Sequence, residues 1–230
     1  MNGRPVTLVV APHPDDGVLG CGGLIARRRA DGCAVHMIVV TDGSASHPGH
    51  PTVSPSQLAA LRREEEREAM RRLGVDQAAL EFLDAPDGRL DRLGPTESET
   101  IEGRICSTLL RVRPDEILLP CRCDGSSEHD AFFALVARAA ARTTLNPRIL
   151  EYPIWSWWNP CRTLQPLFTA RRVWRADVGQ FHSIKRHALC AYVSQVDPTP
   201  PWTQPVLLPD FVSFFTAPSE YYFEMEPLSP

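Results

Sequence analysis

Short apolar segments alternate with longer amphipathic segments along the first two thirds of this 230-residue chain, and this alternation limits the fold more than any other feature. Strands that alternate with helices form parallel sheets with helices on both faces. We therefore predict an α/β fold with a mostly parallel sheet. The predicted strands cover residues 7–11, 35–41, 80–83, 116–119 and 148–151, and the predicted helices cover residues 19–31, 56–73, 97–112 and 128–142.

The alternation weakens after residue 152, where proline and aromatic residues become frequent. A disordered tail would contain few aromatic residues. We therefore expect one domain over residues 1–230. Residues 1–151 form its α/β core, and residues 152–230 form an aromatic and proline-rich C-terminal extension that wraps onto the core on the substrate side.

Composition narrows the function classes. The net charge is −4 and the only basic block is residues 27–29, which argues against nucleic-acid binding. No stretch of 18 apolar residues occurs, so we expect no membrane span. The first apolar run leads directly into polar residues that a cleaved signal would discard, so we expect a cytoplasmic protein. The seven cysteines are an odd number and favour reduced thiols, and the sequence leaves room for a homo-oligomer.

The segment Pro12-His13-Pro14-Asp15-Asp16 directly follows the first predicted strand. Ligands bind at the carboxyl ends of strands in open α/β sheets. One imidazole and one carboxylate, with a second carboxylate beside them, suit a catalytic zinc site. We predict His13 and Asp16 as metal ligands. Asp15 is then either a general base that takes a proton from water or an N-cap of the following helix.

A catalytic zinc site usually has three protein ligands, so a further histidine is expected. Topology favours His129, because it opens the helix after the fourth predicted strand. His36 lies in an apolar strand and is expected in the core. The remaining candidates are His47 and His50, which we expect to be solvated, and His182 and His187, which follow the main sheet.

Two other readings of the same region stay open. Gly20-Cys21-Gly22-Gly23 could serve as a dinucleotide loop, although the GxGxxG spacing is absent. It could equally be a tightly packed helix start whose dipole holds a negative ligand. Cys121 and Cys123 could bind a metal with His129, although their spacing is not C-x₂-C.

Arg62 and Glu65 fall on the apolar side of the second predicted helix. Charged groups in such a position need partners. They either form a structural ion pair with each other or brace the candidate site.

Five segments also occur in a characteristic order. They are Pro12-His13-Pro14-Asp15-Asp16 with Gly20-Cys21-Gly22-Gly23; Thr41-Asp42-Gly43; Arg62-x-x-Glu65 leading to Leu73-Gly74; Asp124 to His129; and Lys185-x-x-Ala188-Leu189-x-Ala191-Tyr192-x-Ser194-Gln195. In these segments the chain resembles the PIG-L or LmbE-like zinc-dependent N-deacetylases. The resemblance implies a Rossmann-like fold, Zn²⁺ held by His13, Asp16 and His129, Asp15 as the base, and N-acetylglucosamine conjugates that lose acetate.

The chain departs from the family pattern at two positions. Gly17 stands where the family often has Glu, and Ser126 stands where the family's His-x-Asp-His segment has its first His. Ser126 can donate only a neutral hydrogen bond to the reacting group. We take Ser126 as a catalytic residue beside Asp15. We also expect substrate contacts from Asp42, Arg62, Asp124 and Trp155, of which Asp42 and Asp124 are alternative bases.

The sequence thus predicts a zinc-dependent hydrolase that removes an N-acetyl group from an amino-sugar conjugate such as an N-acetylglucosaminyl compound. Two alternatives remain. One is a zinc-containing protein that binds an N-acyl sugar without turnover, which Ser126 favours. The other is a zinc amidase that acts on a non-sugar N-acyl compound.

Overall fold

The computed structural model describes residues 4–122, 124–158 and 160–225, the side chains of 161–163 and 170 excepted. These residues form a seven-stranded sheet in the order β3-β2-β1-β4-β5-β7-β6. The first five strands are parallel, which confirms the predicted α/β fold. The strands are β1 (Val6–Ala11), β2 (Ala34–Thr41), β3 (Leu80–Ala85), β4 (Glu116–Pro120), β5 (Arg148–Tyr152), β6 (Val173–Asp177) and β7 (Ser219–Glu224).

Each of the four predicted helices is present with its ends shifted by at most three residues. Local signals explain the starts. Ser54 and Gln57 form a capping box ahead of Pro55, and Pro95 occupies the first turn of the next long helix. The α-helices are α1 (Asp16–Ala30), α2 (Pro55–Arg72), α3 (Pro95–Val112), α4 (Ser127–Ala141), α5 (Pro160–Ala170), α6 (His182–Leu189), α7 (Val193–Val196) and α8 (Pro209–Phe214).

The sequence analysis missed β6 and β7, which extend the sheet in antiparallel fashion. β7 pairs with β5 through Leu150↔Glu224, and β6 pairs with β7 along its whole length. β6 is an edge strand with only Ala176 buried, so it has no continuous apolar run. The pairing also joins segments far apart in the chain, which local pattern cannot reveal.

Apolar layers cover both faces of the sheet. In β1, Val9 and Ala11 pack on the side of α1, while Leu8 and Val10 pack on the side of α3 and α4. Burial on both faces explains why the parallel strands read as unbroken apolar runs. β1 and β4 are neighbours, so the loops after them meet at one edge of the sheet. This is the position where open α/β sheets bind ligands.

Among the residues described, no helix is long and apolar enough to cross a membrane.

α1 is interrupted at Cys21, whose φ is −141°. The amides of Gly23 and Leu24, which open the second part of the helix, donate to the carboxylate of Glu220 at 2.8 and 2.9 Å. Lys185 Nζ lies 2.7 Å from the same carboxylate. The negative group at this helix start is therefore a side chain of β7. This arrangement leaves no role for the glycines as a dinucleotide loop.

Candidate active site and metal centre

His13, Asp16 and His129 converge at the edge formed by β1 and β4. Asp16 Oδ2 lies 3.0 Å from His13 Nδ1 and 3.4 Å from His129 Nε2. One donor atom from each residue lies within 4.8 Å of the other two. The structure thus brings together the three side chains that the sequence analysis selected as metal ligands.

The donor atoms of this group fit a metal cation. His129 is fully buried, and its Nε2 has no hydrogen-bond partner among the described residues. Its Nδ1 lies 2.8 Å from Asp124 Oδ2, which orients the ring so that the Nε2 lone pair is offered to a metal cation once Nε2 has lost its proton. An unpartnered buried nitrogen is costly unless something binds it. Two imidazoles and one carboxylate form a donor set of catalytic zinc sites.

The charges around the group favour a bound cation. Burial lowers the pKa of His129, but the carboxylates of Asp16 and Asp124 raise it to about 9. Burial raises the pKa of Asp16, but the imidazoles of His129 and His13 hold it well below its usual range. The carboxylates therefore stabilise positive charge at His129, whether a proton or a metal cation supplies it. Metal binding here must release a proton near neutral pH.

A second pair of carboxylates contacts the other nitrogen of His13. Its Nε2 lies 3.3 Å from both Asp87 Oδ1 and Glu128 Oε2. The backbone amide of Ala45 donates to Asp87, and that of Leu90 donates to Glu128, which holds both carboxylates in place. The sequence analysis assigned neither residue a role. Two features of the sequence could have indicated them: Asp87 follows β3 at the carboxyl edge of the sheet, and Glu128 directly precedes His129.

Asp124 was predicted to contact substrate, but the structure places it behind His129. It is fully buried and does not line the cavity. Its carboxylate accepts hydrogen bonds from the backbone amides of Ile154, Trp155 and Ser156. We therefore assign Asp124 to positioning His129. The partners lie some thirty residues downstream, so the sequence pattern did not show them.

Replacing Asp124→Asn is expected to weaken metal affinity by about 10- to 100-fold, the usual effect of losing a carboxylate partner of a ligating histidine. The amide can present its oxygen or its NH₂ group to His129 Nδ1, so the tautomer is no longer fixed. Competition titration against a chromophoric chelator measures the affinity. Asp76→Asn, which alters only the cap of a surface turn, serves as the control. Equal affinity in all three proteins would contradict this role.

Asp15 has a backbone φ of 106° and lies next to the three converging side chains. Its Oδ2 accepts a hydrogen bond from Arg62 Nη2 at 2.8 Å. Burial raises the pKa of Asp15 to about 7, although the Arg62 guanidinium opposes the rise. Asp15 occupies the N-cap position of α1, but its side chain makes no capping hydrogen bond. Asp15 therefore stands at the N-cap position, as one of the two interpretations held, but its side chain does not cap the helix and lines the cavity instead.

Arg62 and Glu65 do not pair with each other. Arg62 contacts Asp15, whereas Glu65 accepts hydrogen bonds of 2.7 Å from the backbone amide and hydroxyl of Ser194. The ion-pair reading of the sequence is thus wrong, because each charge finds a partner on another element. Arg62 instead agrees with the alternative interpretation, in which the residue braces the candidate site, because it holds the carboxylate of Asp15.

His13, Asp15 and Asp16 line a cavity of about 890 Å³, within the usual range for small-molecule sites. His129 is fully buried and does not line it. Arg62 and Ser126 line the cavity as well. An apolar wall of the cavity includes Ile154, Trp155, Trp158, Val206, Leu207 and Phe211.

Asp42 and Ser126 have local structural contacts. Asp42 lies outside the cavity, where its Oδ1 accepts a hydrogen bond from the amide of Ser44 at 3.0 Å. The predicted substrate contact of Asp42 therefore has no support in this geometry, because the chain turns away after β2. Ser126 caps α4: its Oγ accepts a hydrogen bond from the His129 amide at 3.4 Å. Ser126 lines the cavity, and its hydroxyl donates no hydrogen bond to another of the described residues.

The other candidate histidines lie elsewhere. His47 and His50 were expected to be solvated, but both are buried against Trp202, with ring centroids 5.0 Å from its ring. Aromatic packing across the Pro/Gly loop explains this difference. His36 was expected in the core but is only half-buried, because it lies near the start of β2, before the strand becomes continuously buried at Met37. His182 and His187 lie on α6 and do not line the cavity.

The cysteine alternative is not supported by the described residues. Cys121 is buried at the end of β4, and its Sγ lies 3.5 Å from Asp124 Oδ1. It does not belong to the converging ligand group. Cys123 lies outside the described residues.

Fold and site together define an α/β protein with a candidate histidine–aspartate metal centre at the carboxyl edge of a parallel sheet. The family model described as PIG-L, GlcNAc-PI de-N-acetylase, matches residues 8–140, which is more than half of the chain. The chain belongs to this family. The match includes every residue of the metal centre.

Individual relatives agree with this assignment. Diacetylchitobiose deacetylase of Thermococcus kodakarensis is 33% identical over 113 residues, 49% of this chain and only 39% of that enzyme. The N,N'-diacetylchitobiose deacetylase structure from Pyrococcus horikoshii superposes with a TM-score of 0.70 at 22% identity, covering 96% of this chain and 84% of that one. The structure of GalB of Pseudomonas putida KT2440, a 4-carboxy-2-hydroxymuconate hydratase, superposes with a TM-score of 0.71 at 16% identity. The superposition covers 98% of this chain and 97% of GalB. The fold therefore hosts more than one reaction, and the argument for function must come from the site.

Proposed function

We propose that this protein is a zinc-dependent N-deacetylase that removes the N-acetyl group of an amino-sugar conjugate such as an N-acetylglucosaminyl compound. The observation that carries the proposal is the bare, buried Nε2 of His129, which Asp124 directs toward Asp16 and His13 beside the buried carboxylate of Asp15. A deacetylase relative and the family match support the same reaction class.

Zinc held by His13, Asp16 and His129 would supply Lewis acidity that polarises the acyl carbonyl and makes water a better nucleophile. Arg62 donates a hydrogen bond to Oδ2 of Asp15. Among the described residues, Oδ1 of Asp15 has no hydrogen-bond partner. Asp15 then takes the proton of the attacking water at Oδ1 and passes it to the nitrogen of the leaving amine. The Ser126 hydroxyl donates a neutral hydrogen bond to the negative oxygen that develops.

The cavity also suggests how the substrate is held. Trp155 and Trp158 are 39% and 61% exposed, which is unusual for such large side chains, and both line the same cavity as the carboxylates of Asp15 and Asp16. An aromatic wall facing polar groups suits a ligand with one apolar and one hydroxylated side. We assign Trp155 to packing against the sugar ring. Arg62 lines the cavity, but its guanidinium binds Asp15, so we assign Arg62 to orienting the base rather than to binding the substrate.

The proposal is tested by measuring amine release from a panel of N-acetyl amino sugars, with chelator and after zinc is restored. We expect release that chelator abolishes and zinc recovers. Binding of these sugars without release would favour the non-catalytic binding protein. Release from simple N-acetyl amines but not from sugars would favour the amidase.

Replacing Ser126→His is expected to raise kcat/KM, because an imidazolium stabilises developing negative charge better than a hydroxyl. A preorganised donor is worth ~2.7–4 kcal/mol, and a grafted one should give less. The exchange also removes the cap of α4, at a cost of about 0.5–2 kcal/mol in stability. Steady-state kinetics and thermal unfolding measure both effects. Ser126→Ala, which loses cap and donor together, is the matched control; a faster Ser126→Ala variant would contradict the donor role.

A further inference from the structure

We propose that Glu66, supported by Tyr192, is a positioning residue that holds the main chain of Asp15 so that its carboxylate faces the cavity. The inference rests on the proposed role of Asp15 as the base. It assigns a purpose to a buried carboxylate and to a C-terminal motif that the reaction itself leaves unexplained.

Asp15 adopts a backbone conformation that side-chain-bearing residues rarely occupy, with φ 106° and ψ −38°. Such a conformation persists only where surrounding groups hold it, and it is concentrated at functional sites. The carbonyl of Asp15 is held by α1, because it accepts hydrogen bonds from the amides of Val18 and Leu19 at 2.9 and 2.8 Å. Its amide needs a separate partner.

α2 supplies partners for both the side chain and the main chain of Asp15. Arg62 Nη2 donates to Asp15 Oδ2 and to the carbonyl of Pro14. One turn further along, Glu66 Oε2 accepts the hydrogen bond of the Asp15 amide at 2.9 Å. Residues four apart lie on the same face of a helix, so the two contacts act on Asp15 together.

Glu66 has no evident use in stabilising the fold. It is fully buried, and no lysine, arginine or histidine of the described residues forms an ion pair with it. Its Oε1 has no hydrogen-bond partner among these residues, and both of its donors reach Oε2. Burial raises the pKa of Glu66 to about 7, against the hydrogen bonds from Tyr192 and Asp15. A buried carboxylate without a cation costs stability, and this cost favours a functional role for Glu66.

Tyr192 completes the arrangement from the C-terminal part of the chain. It is fully buried, and its hydroxyl donates to Glu66 Oε2 at 2.8 Å. Two residues later, Ser194 donates to the adjacent Glu65. The motif Ala191-Tyr192-x-Ser194-Gln195 thereby holds two consecutive carboxylates of α2, of which Glu66 reaches Asp15.

The test compares Glu66→Met and Glu66→Gln in the metal-loaded protein. Methionine has a similar volume but no acceptor. We expect Glu66→Met to lower kcat by about 10- to 100-fold through displacement of the base, with unchanged KM and metal content. Its Tm should fall, because the buried Asp15 amide and the Tyr192 hydroxyl both lose their acceptor. Glu66→Gln keeps an amide oxygen for the Asp15 amide and should recover most of kcat.

Two further variants sharpen the comparison. Tyr192→Phe removes the supporting donor but leaves the Asp15 contact, so its kcat should fall less than that of Glu66→Met. Glu68→Met makes the same exchange two residues along α2, where the side chain pairs with Arg71 and Arg72 at the surface. It should retain the parental kcat.

The NMR signal of the Asp15 amide gives a readout that does not depend on activity. We expect it at low field in the parent and in Glu66→Gln, and displaced upfield in Glu66→Met. A lower Tm with parental kcat in Glu66→Met, or an unmoved Asp15 signal, overturns the inference. A signal that moves as expected in a protein whose parent hydrolyses no N-acetyl sugar contradicts the proposed function instead.

Discussion

An Asp15→Asn variant is expected to lose a factor of about 10²–10⁴ in kcat, the usual contribution of a general base. Asparagine has nearly the same shape and can still contact Arg62 through its amide oxygen, but it cannot take a proton from water. The three metal ligands remain, so metal content should stay stoichiometric. Steady-state kinetics with metal analysis of the same sample measures both quantities.

The control for this variant is Asp31→Asn, at the exposed C-terminal end of α1 and remote from the cavity. It should match the parent in rate and in metal content. An Asp15→Asn enzyme at the parental rate would require another base. A loss of metal in Asp15→Asn would instead assign Asp15 to the ligand set.

A His129→Ala variant is expected to lose stoichiometric metal and, with it, activity. Only two ligands of the proposed set would remain, and the cavity left behind is lined by Asp16 and Asp124 without an imidazole between them. Metal analysis after dialysis against a weak chelator measures the loss. The thermal unfolding of His129→Ala and of the parent, both without metal, should also be compared, so that a folding defect of the variant is recognised.

His187→Ala is the matched control, because His187 is exposed on α6 and does not line the cavity. Stoichiometric metal in His129→Ala would contradict the assigned centre. It would direct attention to the neighbouring group of His13, Asp87 and Glu128, whose donor atoms also lie within 4.8 Å of one another.

Local sequence pattern was sufficient for the parallel part of the fold and for the three converging side chains. Unbroken apolar runs predict β1 and β4, and a general rule for α/β sheets then brings His13 and His129 to one edge. The antiparallel strands β6 and β7 have no such runs and depend on pairing with distant residues.

The roles of polar residues were harder to predict because a charge does not reveal its partner. Arg62 and Asp15 are 47 positions apart, and Asp124 meets the amides of residues 154–156 only through the path of the chain after β5. Likewise, the loop of His47 and His50 is polar in sequence, but Trp202 covers it in the fold. Each miss involves a contact that secondary-structure pattern does not encode.

Because the Asp124 carboxylate is bound to the backbone of Ile154, Trp155 and Ser156 as well as to His129, the start of the aromatic wall cannot shift without disturbing His129 and the candidate metal centre. Trp158 and Phe211 face the same cavity but are not bonded to Asp124. Phe211 stacks on Trp155 with ring centroids 5.2 Å apart, so a change at Phe211 acts on the segment that Asp124 holds. Libraries that aim to change the substrate range of this scaffold should therefore vary Trp158 first and leave residues 154–156 and Phe211 intact.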